Sequence, residues 1–130
     1  GIHGVEILYT VMGPGCRRLK RILSGDTDLV VGEWADGRLG TFRGDLQGRQ
    51  HYGGTAFGTK GVMELGPFDG YGALVDQIIT FFRTGIPPIE ANETIELYTF
   101  MQAADVSKSR EGAWVELGEI FETAKAHADK

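Results

Sequence analysis

Cross-links are what this chain lacks first. It has one cysteine, Cys16, in 130 residues, so no intrachain disulfide can form. A lone thiol suits a reducing compartment, and the expected location is cytoplasmic. No apolar run approaches the ~18 residues that a membrane span needs. Positive charge is also short: 13 Lys and Arg stand against 18 Asp and Glu, a net charge of -5. That balance excludes broad binding to a phosphate backbone, so neither nucleic acid nor membrane is an expected partner. The three histidines, His3, His51 and His127, are far apart in sequence, with no metal-ligand spacing, H-E-x-x-H motif or nucleophile elbow around them. No signal peptide is visible, although a fragment would have lost an N-terminal address; no internal repeat or linker is found, and one domain spanning residues 1–130 is expected. A chain this long buries roughly two thirds of its unfolded surface, enough for a core without staples.

Glycine is what the chain has in excess, 20 residues, about twice the usual share. The glycines fall between short apolar or alternating runs, as in sheet proteins with tight turns. Residues 3–12 predict a helix, because Val5, Leu8, Tyr9 and Met12 recur at i, i+3, i+4, i+7. "GPG" at 13–15 ends it. "RRLKRIL", "DLVVGEW" and "LGTFRGDL" predict strands, with Asp36-Gly37 as a two-residue hairpin turn. "HYGGTAFG", a turn at Thr59-Lys60-Gly61 and "VMEL" predict a second hairpin. Turns this short force antiparallel pairing.

Helical period returns over 71–84, with Leu74, Ile78, Phe81 and Phe82 on one stripe, Asp69 as N-cap and Gly85 as the stop. "IPPI" is a stiff bridge. Residues 91–107 predict the longest helix, on a Leu97, Phe100, Met101, Ala104 stripe widened by Ile95, Tyr98 and Gln102. "AWVEL" predicts a short strand, and "GEIFETAKAHADK" a fraying turn or helix. Segregated strands and helices mean α+β: a mainly antiparallel open sheet with helices packed on one face. The other face is left for a partner subunit.

Two near-motifs fail. "GGTAFGTKG" lacks the Gly-Lys-Ser/Thr order of a phosphate loop and leads into a strand. "GYGALV" at 70–75 has Val75 where a dinucleotide fingerprint needs its third glycine, and no βαβ unit surrounds it. The chain alone is therefore expected to bind no dinucleotide. "NET" at 92–94 matches a glycosylation acceptor but opens a helix. Arg17 and Arg18 beside Cys16 are a setting that lowers a thiol pKa, yet a small half-buried residue is the expected reading. The cations of "RRLKR" are expected to blunt an exposed strand.

Taken in order, "IHGVEILYTVMGPGC", "WADGRLGT", "YGGTAFGTKG", "FFRTGIPP" and "ETIELYTFMQAADVSKS" resemble the C-terminal domain of the Gfo/Idh/MocA oxidoreductases. The resemblance runs nearly end to end. It implies an upstream Rossmann domain holding NAD or NADP, and a C-terminal half that lines the substrate site and forms a homo-oligomer through its sheet. It also implies a sugar, inositol or related polyol as substrate. Many members of the family use a lysine from the nucleotide half and the histidine of a D-x-x-x-H motif. His3 matches that histidine; the aspartate and the lysine would lie before residue 1. The chain opens on "GIH" without Met, and it is expected to be a piece of a longer enzyme, inactive alone.

Oxidising an alcohol requires a base for the hydroxyl proton, and an imidazole suits that task. Glu6, one turn on, is the expected substrate-binding residue, hydrogen-bonding a sugar hydroxyl. The alternative to a catalytic fragment is a non-catalytic module that binds a small ligand or dimerises. The sequence opens both readings, and the upstream reading frame separates them.

Overall fold

The computed structural model describes residues 2–48, 51–67 and 69–128. Gly1, and Asp129 and Lys130 at the end of the expected final segment, lie outside the described residues. The chain divides into two compact units: residues 1–50 with 92–130, and residues 51–91.

The first unit opens with α1 (Ile2–Met12). Val5 and Tyr9 are buried, with Leu8 and Met12 packed beside them, as the stripe predicts. Gly13 stops the helix in the left-handed region, its amide donating to the Tyr9 carbonyl at 2.7 Å. Three antiparallel strands follow: β1 (Cys16–Ser24), β2 (Thr27–Trp34) and β3 (Leu39–Asp45). Gly25-Asp26 closes β1 on β2 as a two-residue turn with positive φ at the glycine alone. That pattern is the II′ turn, whose twist matches the strands.

The β2–β3 turn is wider than the expected Asp36-Gly37 pair. Trp34 N–H donates to the Arg38 carbonyl at 2.8 Å, and Gly37 N–H to the Trp34 carbonyl at 2.9 Å. The loop is therefore three residues, Ala35-Asp36-Gly37, with Gly37 left-handed at its third position. Asp36 lies in the turn proper, where it accepts from the Arg38 amide at 3.1 Å.

After the second unit come α3 (Ala91–Ser109), β6 (Val115–Glu116) and α4 (Leu117–Ala128). β6 pairs antiparallel with Arg18 and Leu19, giving the sheet order β3-β2-β1-β6. β1 is therefore an inner strand where "RRLKR" was expected to guard an edge. Its cations are used for pairing: Arg17 and Arg18 both meet Glu33, and Arg21 meets Asp28 and Asp105.

One face of this sheet carries the core. Val30, Gly32 and Trp34 of β2 point there, opposite Phe42 and Gly40 of β3. The facing glycines Gly32 and Gly40 leave room for the Trp34 indole, whose Cζ3 would stand 2.9 Å and 2.8 Å from a Cβ at either. Tyr9, Trp34 and Phe100 form an aromatic triad with centroids 5.7–6.5 Å apart, Tyr9 edge-on to Phe100. α1 and α3 thus cover the same face, and the fold is α+β as expected. On α3, Leu97, Phe100, Ala103, Ala104 and Ser107 are buried, whereas Ile95, Tyr98 and Gln102 face outward and do not widen the stripe.

The second unit holds the hairpin β4 (Gly54–Gly58) and β5 (Gly61–Leu65), turning at Thr59-Lys60, and α2 (Gly72–Thr84). Gly85 ends α2 as expected, left-handed and donating to the Phe81 carbonyl at 2.8 Å. Asp69 does not cap it. The cap position is Tyr71, whose side chain makes no capping hydrogen bond, and α2 starts two residues later than a cap at Asp69 requires. The near-phosphate loop is the β4–β5 hairpin turn itself.

Candidate functional site

His3 and Glu6 occupy the first turns of α1, and the fold keeps both side chains outward. Val5 and Tyr9 take the buried face, so residues 3 and 6 fall on the flank left in solvent. His3 Nδ1 lies 2.8 Å from Glu6 Oε2, with side chains 71% and 50% exposed. A neutral imidazole that donates from Nδ1 carries its basic lone pair on Nε2. The carboxylate thereby selects a tautomer. Sequence reasoning had Glu6 turned toward substrate; in the fold its Oε2 is engaged by its own helix neighbour. His51 lies in the second unit. His127 sits in the last turn of α4, donating from Nδ1 to the Thr123 carbonyl at 2.8 Å. Among the described residues, no three His, Cys, Asp or Glu side chains gather as a metal-binding group.

A residue that the sequence reading passed over does more to build this region. Glu96 of α3 accepts from the amides of Gly15 (2.8 and 3.0 Å) and Cys16 (2.8 Å) and from the Tyr9 hydroxyl (3.1 Å). One carboxylate thus ties α3 to the end of α1, to the "GPG" loop and to the start of β1. Burial, and then the Glu96 charge, push the Tyr9 phenol well above its usual range. The same two causes, in the same order, push the Cys16 thiol up to about 12. Arg17 and Arg18 do not activate it. The expected inert reading of Cys16 holds, because its side chain is buried among the core residues while both arginines pair with Glu33. The signal for Glu96 was in the helical period. It lies four residues before Phe100, on the face that continues through Ala103 and Ser107 to the sheet.

Ser107 was missed for the same reason. It is fully buried, donates to the Ala113 carbonyl at 2.7 Å and accepts from the Arg21 amide at 2.9 Å. It satisfies the edge of β1 just beyond the two residues that β6 covers. The Arg21 guanidinium grips Asp28 at 2.7 and 2.5 Å and holds that carboxyl below its ordinary value.

Two further surfaces bring apolar or cationic side chains together. Between α3 and α4 lies an open groove of about 600 Å³, lined by Ile95, Tyr98, Ile120 and Phe121 with Gln102 and Lys125 at its rim. On the outer sheet face, Trp114 carries the Arg18 guanidinium 4.7 Å and the Lys20 ammonium 5.8 Å from its ring centroid. A nicotinamide dinucleotide needs a strand, a glycine-rich turn and a helix N-terminus in a parallel βαβ unit. The described strands pair only antiparallel, and the 70–75 segment opens α2 with no strand immediately before it. These residues do not fit the dinucleotide. Among the described residues, no helix is long and apolar enough to cross a membrane. No family model matches the chain, and neither does any curated protein or solved structure.

Proposed function

We propose that this chain is the C-terminal part of an NAD(P)-dependent oxidoreductase of the Gfo/Idh/MocA kind, acting on a sugar, inositol or related polyol. The observation that carries the reading is the His3–Glu6 pair, bonded at 2.8 Å in the first turns of a helix laid on an antiparallel sheet. In this reading His3 accepts the proton of the substrate hydroxyl at Nε2, and Glu6 holds the ring so that Nδ1 is the donor. In this reading the dinucleotide belongs to a preceding Rossmann domain, and the described strands here, paired only antiparallel, are consistent with that division. The enzyme works in the cytoplasm and assembles as a homo-oligomer. The outer sheet face supports that last point: Ile22, Leu29 and Val31 alternate outward there, beside Lys20, Thr41 and Arg43.

The test uses the full-length protein. NAD(P) reduction is followed over a panel of polyols, with His3→Ala beside the parent. General-base loss typically costs about 10²–10⁴-fold, and kcat is expected to fall by that order while cofactor affinity holds. Unchanged turnover removes His3 from the reaction. An upstream reading frame with no βαβ segment removes the whole reading and leaves the non-catalytic module.

A further inference from the structure

Gly4 is the odd residue of α1. It occupies the first turn of an 11-residue helix, and glycine is a poorer helix former than alanine. Its φ is not positive, so the backbone does not demand glycine there. Space does. A Cβ at Gly4 would fall inside the envelope of Phe42 Cε2, 2.8 Å from Cδ2 and 3.2 Å from Cζ. Phe42 is a β3 residue opposite Val30 and packs against the core, which limits how far its ring can retreat. With the Phe42 ring where it stands, the first turn of α1 therefore lies nearer β3 than a residue with a Cβ allows. His3 precedes this contact and Glu6 follows it.

We infer that Gly4 and Phe42 form a seat for the first turn of α1, and that both are positioning residues for the His3–Glu6 pair. The first turn is where a helix has unpartnered amides and the least internal support. A displacement there moves His3 more than Glu6, which sits one turn deeper and is held by the Val5 and Tyr9 packing. The functional meaning rests on the reading of His3 as proton acceptor, but the seat is testable without turnover.

The test is the tautomer of His3, read from long-range ¹⁵N–¹H spectra of the labelled chain near neutral pH. The parent is expected to show mainly the Nδ1–H form, and Glu6→Gln a shift toward Nε2–H. Gly4→Ala, although it adds a better helix former, is expected to shift the ring as Glu6→Gln does. The double variant Gly4→Ala/Phe42→Ala makes room for the methyl group and is expected to restore the Nδ1–H majority. An unchanged ring in Gly4→Ala, or no recovery in the double variant, overturns the seat. Should Gly4→Ala fail to fold, the double variant decides: an Nδ1–H majority is expected there, and its loss overturns the seat. Thermal melts on the same samples separate plain destabilisation, which lowers Tm without moving the ring. A seat that holds while His3→Ala turns over normally leaves this inference standing and removes the catalytic reading.

Discussion

The helices α2 and α3 carry apolar stripes of similar spacing in the sequence and meet opposite fates. α3 buries Leu97, Phe100, Ala103, Ala104 and Ser107 against β1, β2 and the aromatic triad. α2 buries no side chain, and Phe82 on its stripe is 81% exposed. The whole second unit follows α2: none of its described residues is buried, and Phe57 of β4 is 82% exposed. Periodicity reports that a helix has an apolar face; it does not report what that face meets. In the first unit, side-chain bonds to backbone groups accompany the packing: Glu96 on Gly15 and Cys16, Ser107 on Arg21, and Trp34 Nε1 on the Gly13 carbonyl at 2.8 Å. In the second, those that the structure shows in α2 stay within one turn, Thr80 on Asp76 and Thr84 on Thr80.

The contrast is sharpest in the aromatics. Trp34→Ala empties the centre of the first core and is expected to cost about 3–5 kcal/mol in urea unfolding, with the triad's near-UV signal lost. Glu96→Ala comes next. It strands two backbone amides and a phenol, and hydrogen bonds to charged groups run about 1.5–3 kcal/mol, so a loss of about 2–3 kcal/mol is expected from the same measurement.

Cys16 adds a smaller, pH-dependent contribution to the first unit. With its pKa raised to about 12 against about 8.5 in unfolded chains, the folded state holds its proton more tightly. That contribution to stability is complete below about pH 8.5. It declines as pH rises toward the folded value, which urea midpoints taken from pH 8 to 11 would follow. At pH 8 a thiol reagent is expected to label Cys16 only as fast as the unit opens. Labelling at the rate of a free thiol would contradict the buried site. The smallest effect is Phe82→Ala, expected to stay within about 0.5 kcal/mol. A cost near that of Trp34→Ala would erase the contrast between the units and show that the α2 face is covered in solution.

Most elements were legible in the sequence because they rest on local chemistry. The α1 stripe, the Gly13 and Gly85 stops, the β4–β5 hairpin and the short strand at Val115–Glu116 all follow from period or turn residues. What sequence reasoning got wrong depended on partners distant in the chain. Asp69 looked like a cap, but the cap position is Tyr71. Arg17, Arg18 and Arg21 looked like edge guards until β6 and Ser107 took the edge. Ile95 and Tyr98 looked like core; they line the α3–α4 groove instead. His3 and Glu6 were legible as residues, and their bond was not, because an i, i+3 spacing permits contact without requiring it.

The opposed glycines Gly32 and Gly40 have a wider consequence. By ceding their own volume they let one indole reach across two strands, so three positions draw on one allotment of space. Enlargement at either glycine calls for a smaller residue 34, and at Gly40 for Leu8 to give way as well, since its Cδ1 would stand 2.9 Å from the new Cβ. A larger residue at 32 or 40 should therefore arrive together with a smaller one at 34 across descendants of this chain.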